Sequence, residues 1–350
     1  MDYPISVPSI GLVGGKFADE DPLAGTPGSL IPAQWGNAVS DEILNVITAA
    51  GMVPDELLNT QLATAISLII GTTRPLATQA EAEAGTDNAK TMTAQRTQQA
   101  ISKRAAIVGS IRNMRMSVAA ASAIATVTAD EIFVKSALGG AAWLVASFNK
   151  NINLTTTGAG GMDTGAAPVS GFVAVYAIYN PATSTSALLA ANATSAVQPE
   201  IYGGANMPAG YLASALVTVW PTNASGQFVV AYQVDRQISF PFAVVATTGV
   251  GVGSPTAISV ANLVPRNARS CSGWATVITN GSSYASLNVS ASSTLIGIQQ
   301  IAGASNGGPG TNSGSFAMVP IIAAQTIYWS TTTTGGTFTS ASIYLSGYAI

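Results

Sequence analysis

Histidine is absent from this 350-residue chain and cysteine occurs once, at Cys271. The first absence removes the usual general base of serine and cysteine hydrolases and the commonest metal ligand. The second rules out an intrachain disulfide, and the lone thiol reads as a small buried hydrophobe. No metal and no cofactor is expected. Charge is scarce too: charged residues make up 8% of the chain, against about 25% in ordinary soluble domains. With 48% hydrophobic residues the chain is too apolar to stay disordered. Its most apolar stretches, Phe172–Tyr179 and Leu212–Trp220, are strand-length, short of the roughly 18 residues of a bilayer helix, so membrane insertion is not expected. A net charge of −3 with no basic stripe excludes nucleic acid as a partner. Met1-Asp2-Tyr3-Pro4 lacks the basic and apolar regions of a secretory signal, so synthesis and assembly in a cytoplasm are expected.

The few charges are unevenly placed. Residues 151–350 hold three acids (Asp163, Glu200, Asp235) and three bases (Arg236, Arg266, Arg269); the other thirteen acids and ten bases lie in residues 1–150. A surface kept soluble by hydroxyls and amides lets like surfaces approach without repulsion, as a tightly packed oligomer requires.

Residues 1–31 carry Pro4, Pro8, Pro22 and Pro27 among Gly11, Gly14, Gly15, Gly25 and Gly28, with no hydrophobic period. They read as an extended segment that gains order by docking onto another protein. Residues 32–75 follow with two amphipathic helices. Trp35, Val39, Ile43, Val46, Ile47 and Ala50 mark one helical face, with Gly51 as the C-terminal stop. Leu58, Leu62, Ala65, Ile66 and Ile69 mark a second, capped by Asn59 or Thr60 and ended by Gly71. Helices this short bury their faces only against each other or against symmetry mates. In residues 76–114, Thr78-Gln79-Ala80-Glu81 fits a capping box with Gly85 as the stop, and Thr93 opens a second helix through Arg104. This helix–loop–helix is a connector rather than a core.

From about residue 115 the period becomes 2. Phe228, Val230, Tyr232 and Val234 alternate with Val229, Ala231, Gln233 and Asp235, and Ala285, Leu287, Val289 and Ala291 alternate with serine and asparagine, both patterns of half-buried strands. Phe172–Tyr179 is apolar on both faces, which suits the middle of a sandwich. Turn signals recur at Asn180-Pro181, Thr222–Gly226, Asn280-Gly281, Gly307–Gly310 and Gly335-Gly336. The fold class is α+β, its β part an antiparallel sandwich or jelly roll. Gln237–Pro241 is expected to divide a first β domain, 115–237, from a distal one, 238–350.

These residues resemble a known family. Gly11-Leu12-Val13-Gly14-Gly15-Lys16-Phe17, Gly25-Thr26-Pro27, Ser29-Leu30-Ile31-Pro32-Ala33 and Asp41-Glu42-Ile43-Leu44 look like the attachment region of bacteriophage tail fibres. Ala77–Thr93 resembles a helix–loop–helix recurrent in fibre shafts. Gly158–Thr164 and Pro199–Tyr211 resemble the β region of the same proteins, a family shared with phage-tail-like bacteriocins. The resemblance weakens after about residue 240. It implies a virion protein forming a parallel homotrimer, joined to phage tail or baseplate proteins through Tyr3, Leu12, Val13, Lys16, Phe17, Leu30 and Ile31. Its distal domain would hold a bacterial surface polysaccharide or protein receptor. The chain is short for a fibre, so a compact spike stays open beside a long fibre.

Candidate receptor contacts follow from residue chemistry. Arg266 and Arg269 suit bidentate contacts to phosphate or carboxylate, with a turn-stabilising role as the alternative. Trp274, Tyr284 and Trp329 suit sugar stacking or a protein contact, with core or subunit interface as the alternative, and Asn280 offers an amide for sugar hydroxyls. Gly249-Val250-Gly251-Val252-Gly253 lacks the following lysine and helix of a phosphate loop and reads as closely packed backbone. A polysaccharide depolymerase would need paired carboxylates from Asp163, Glu200 and Asp235. The reading taken is a non-enzymatic tail fibre. The alternatives are a purely structural collar or decoration protein and, more remotely, a depolymerase.

Overall fold

Proline and glycine spacing leaves no regular element in residues 3–32, and neither helix nor strand forms there. The structure is a computed structural model describing residues 3–73, 75–104 and 107–350; Met1 and Asp2, part of the N-terminal reading above, lie outside these. Local pairs replace regular elements. Val13 N–H donates to the Lys16 carbonyl at 2.9 Å, and Asp21 N–H to that of Thr26 at 3.0 Å. The Ser29 hydroxyl accepts from Ala18 N–H at 2.8 Å and donates to the Gly11 carbonyl at 2.7 Å. Phe17 packs between Tyr3 and Trp35, tilted to the first ring and edge-on to the second, with centroids 5.6 and 5.0 Å away. Val13, Leu30 and Ile31 stay exposed, as does Lys16, while Leu12 is half-buried.

The helical period builds α1 (Ala33–Ala49) and α2 (Gln61–Thr73). Gly51 and Met52 donate to the Thr48 and Ile47 carbonyls at 2.9 and 3.2 Å, a closed C-terminal cap. The second helix differs from expectation: Leu58 precedes it and Gly71 lies inside it. A single glycine costs a helix only about 1 kcal/mol, and beyond it the Thr72 and Thr73 hydroxyls bond the Leu68 and Ile69 carbonyls. The two helices touch each other, yet within them Ile47 and Ala65 are the buried apolar residues, and Ile43, Leu44, Ile66, Leu68 and Ile70 stay exposed. α3 (Gln79–Ala84) has the full capping box, Thr78 with Glu81, and ends on Gly85; α4 (Ala94–Arg104) follows Thr93, whose hydroxyl accepts from Arg96 N–H at 3.3 Å.

The chain divides into two compact units, Met1–Ala100 and Ile101–Ile350. In the second, every pairing between named strands is antiparallel. Its first eight strands are β1 (Ile111–Arg112), β2 (Arg115–Val118), β3 (Ile124–Lys135), β4 (Ala142–Asn153), β5 (Phe172–Asn180), β6 (Thr185–Asn192), β7 (Ala213–Pro221) and β8 (Ala231–Val234). Next come β9 (Gln237–Thr248), β10 (Thr256–Ser259), β11 (Ser270–Asn280) and β12 (Ser283–Ser290). The last four are β13 (Gln299–Ser305), β14 (Gly310–Pro320), β15 (Thr326–Thr334) and β16 (Thr337–Ala349). Gln237–Pro241 is no linker but the start of β9. It pairs with β8 across the two-residue turn Asp235-Arg236, so a 12-stranded sheet runs β14-β11-β16-β9-β8-β2-β3-β7-β5-β6, with β1 and β4 on β3.

The last eight strands form two four-stranded layers, β14-β11-β16-β9 and β10-β15-β12-β13. Nearly every connection after β9 crosses from one layer to the other, which is jelly-roll topology. Cys271, Ala275, Val277, Ile343 and Leu345 meet Leu287, Val289, Ile327 and Trp329 in its core. Two alternating patterns turned out differently from expectation. On β8 the buried face is Ala231 and Gln233, while Val230, Tyr232 and Val234 are exposed. β12 is buried on both faces over Ala285–Ser290, in the interior of its layer between β15 and β13. β5, apolar throughout, is buried over Phe172–Ile178 between β6 and β7 as expected.

Candidate functional site

Of the six charged residues in 151–350, four line one cavity of about 450 Å³: Glu200, Arg236, Arg266 and Arg269. The β8–β9 turn presents Arg236. Asp235 takes the left-handed conformation that this turn requires (φ 49°). Its carboxylate accepts from Met114 N–H at 3.0 Å, and its own N–H donates to the Met114 carbonyl at 2.9 Å. The buried Gln233 amide donates to the Val217 and Asp235 carbonyls at 3.0 and 2.6 Å, holding the turn from beneath.

Glu200 faces that turn because Leu216 N–H donates to its carbonyl at 2.8 Å. Arg236 grips the Glu200 carboxylate with both terminal nitrogens, at 2.9 and 2.5 Å. Such a fork is geometrically specific, but the pair is about one-third exposed and solvent holds its worth to about 1 kcal/mol or less. Gly109 backs it. Its left-handed backbone (φ 71°) favours glycine, and a Cβ there, 2.5 Å from an Arg236 nitrogen and 3.3 Å from a Glu200 oxygen, would push the paired tips aside. Sequence reading did not single out Gly109, and nothing local marks it.

Arg266 and Arg269 flank a tight turn in which Ala268 N–H donates to the Pro265 carbonyl at 3.1 Å. Between them, the Asn267 side chain accepts from Gln198 N–H at 2.9 Å and donates to the Gln198 carbonyl at 2.7 Å, clamping the two walls of the cavity together. Arg269 N–H donates to the Ala349 carbonyl and its own carbonyl accepts from Ile321, which fixes the turn against β16. The Arg269 guanidinium lies 3.7 Å from Glu200, with 75% of its side chain exposed. Arg266 is exposed, and no ion pair engages it among the described residues. The cavity thus carries three guanidinium side chains and one carboxylate side chain, with Ile350 beside them, an arrangement that favours an anion.

The other acids are engaged elsewhere. Asp163 accepts from the Tyr202 hydroxyl at 2.8 Å and from Thr164 N–H at 2.7 Å. Burial first, and then this bond, pushes the Tyr202 phenol up to about 12. Asp163, Glu200 and Asp235 each hold a separate structural partner: Tyr202, Arg236 and Met114 N–H. No cluster of three or more potential metal ligands occurs among the described residues, and none of their helices is long and apolar enough to cross a membrane.

The expected receptor residues do not form one site. Arg269 immediately precedes β11 and Asn280 ends it, 11 residues on, a separation of about 35 Å at strand rise. At that far end the turns after β11, β13 and β15 converge. Ser305 donates to the Gly281 carbonyl at 2.8 Å, Gly281 N–H to that of Gly308 at 3.1 Å, and Ser283 bonds Thr279 and Ser305. Asn280 and Tyr284 are exposed there. Trp274 lies on the outer face of the β14-β11-β16-β9 layer, cross-strand to Tyr344, which in turn pairs with Val244. With Phe242 and Thr276 it lines a groove of about 370 Å³. Phe242 is 65% exposed, Val244 58% and Trp274 37%. Trp329 is a correction: at 6% exposure it belongs to the sandwich core opposite Val289 and cannot reach a receptor.

No protein family matches the chain, and no curated protein does. Among solved structures, the crystal structure of a Bacillus thuringiensis Cry1Da tryptic core variant is matched at 9% identity and a TM-score of 0.17. That match covers 69% of this chain and 51% of the other, about half its length, and at that score it carries no argument on fold or function.

Proposed function

We propose that this protein is a trimeric, non-enzymatic attachment protein of the tail-fibre kind, located in the tail of a phage particle. Residues 1–31 join it to tail or baseplate proteins. Residues 238–350 hold a polysaccharide or protein on the bacterial surface. The observation that carries this reading is uncovered apolar surface in a chain with little charge. α1 and α2 leave Ile43, Leu44, Ile66, Leu68 and Ile70 exposed, and the outer jelly-roll layer exposes Phe242, Val244 and Trp274 beside Tyr344. Monomeric proteins seldom leave such surface in water, and a self-associating one covers it. The sequence resemblance to fibre attachment and shaft segments supplies the identity of the assembly.

The test is a domain exchange. Residues 238–350 are replaced with the matching part of a fibre from a phage of different host range, and adsorption is scored on both hosts. Host range should follow the exchanged segment. If it follows residues 1–237 instead, the jelly roll is a structural collar and the receptor reading fails.

A further inference from the structure

All three bases of residues 151–350 line the cavity beside the β8–β9 turn, against a single acidic side chain, with Ile350 also in the lining. Stability does not require this. Arg236 alone satisfies Glu200 with a two-pronged bond. Arg269 adds only a 3.7 Å approach to an oxygen already engaged, and Arg266 makes no ion pair among the described residues. Two guanidiniums held on one short turn repel each other. Asp163 and Asp235 keep their charge but bond Tyr202 and Met114 N–H and do not line the cavity. Among the described residues no acidic side chain but Glu200 lines the cavity, and a concave wall focuses the field of its guanidiniums.

The cavity is also built to keep its shape. Asn267 locks the turn carrying both arginines to the opposite wall through two hydrogen bonds to Gln198. A site ordered before its ligand arrives loses less entropy on binding. Its volume of about 450 Å³ lies within the range of small-molecule sites. Val197, Pro199, Leu216 and Ile321 add carbon surface beside the guanidiniums. That pairing of an apolar wall with fork-shaped donors suits a sugar ring bearing one oxyanion. It does not suit a polyanion, which would need a basic track extending beyond one pocket.

We infer that the cavity formed by Arg236, Arg266, Arg269 and the Asn267–Gln198 clamp binds a sugar carrying a carboxylate or phosphate group, with Arg266 and Arg269 as the anion-contacting residues. The placement of that sugar on a bacterial surface rests on the attachment reading above; the binding itself does not.

The test is calorimetric titration of the intact protein with three probes: a glucuronate-containing tetrasaccharide, glucose 6-phosphate and a neutral glucose tetrasaccharide. One or both anionic probes should bind, and which one does separates carboxylate from phosphate as the natural group. The neutral probe should bind at least tenfold more weakly. Affinity should fall severalfold as salt is raised to about 0.5 M. Arg266→Gln with Arg269→Gln should abolish anion binding, and because both side chains are exposed its melting temperature should stay that of the parent. Equal binding of neutral and anionic probes, no binding of either anion, or full binding by the double variant would each overturn the site. Adsorption of particles carrying the double variant is scored separately. Unchanged adsorption alongside lost anion binding would detach the site from host attachment while leaving the site itself intact.

Discussion

The hydroxyl of Tyr348 is buried and donates to the Val219 carbonyl at 2.6 Å, tying the last strand to β7. Burial pushes its phenol upward, as it does that of Tyr176, which donates to the Pro199 carbonyl at 2.9 Å. Burial likewise pushes the Cys271 thiol up to about 12. In each case folding favours the protonated form. That contribution is complete below the ordinary values, about 8.5 for a thiol and about 10 for a phenol, and is lost as pH rises towards the folded ones. Stability should therefore decline steadily above about pH 9, as followed by urea midpoints from pH 7 to 11. Tyr348→Phe should cost about 1 kcal/mol at neutral pH, the net worth of one buried hydrogen bond, yet lose less than the parent between pH 9 and 11. Glu81 runs the other way. Its bond from Lys90, and then those from Thr78, lower its carboxyl to about 2. The stabilisation is present above the ordinary value of about 4.3 and disappears as pH falls towards 2. Carboxyl carbon shifts should show that low midpoint, and Lys90→Met should raise it towards the ordinary value. The capping box was legible from four residues because its partners are local.

The link from β15 to β16 turns on Gly335 and Gly336, both left-handed at φ 68° and 58°. At Gly336 a Cβ would also lie 2.5 Å from the Asn280 carbonyl, in the turn after β11. Backbone strain and a clash with main chain combine there, so Gly336→Ala should destabilise by more than about 1 kcal/mol, measured as a drop in the denaturation midpoint with an unchanged slope. The two glycines announce a turn in the sequence, but not the second turn packed against it. β12 teaches the same lesson. Its alternation of apolar and hydroxyl residues is that of a half-buried strand, yet Ser286, Asn288 and Ser290 are buried as well. Asn288 stands between its cross-strand neighbours, donating to Ser330 at 3.2 Å and accepting from Gln300 at 3.0 Å. A central strand is covered by its neighbours' side chains, and centrality is a property of the sheet, not of the segment.

At the scale of the whole molecule, the outer layer carrying Val244, Tyr344 and Trp274 is bare of charge. The same sheet also exposes Tyr232 and Val234 on β8. Light scattering should report a stable trimer well above the 35.2 kDa of one chain. Val244→Lys together with Tyr232→Lys should shift it towards monomer if this surface is buried between subunits, since an unpaired charge is costly to bury there. A monomeric parent protein would contradict the assembly. Deleting residues 1–31 should leave the β unit folded, because its core draws nothing from them, while incorporation into particles is lost.

Composition and periodicity by themselves determined the helix α1, the capping box of α3, the change to strands and the burial of β5. Each of these depends on residues within one turn or one strand of each other. Tertiary structure alone decided that β8 and β9 continue one sheet through the expected divide, that Trp329 is core, and which face of β8 is covered. It also decided that Arg236 joins Arg266 and Arg269 around Glu200 over the backbone of Gly109. These rest on pairings between strands far apart in sequence, set by which layer each strand enters, and side-chain period carries no record of that choice.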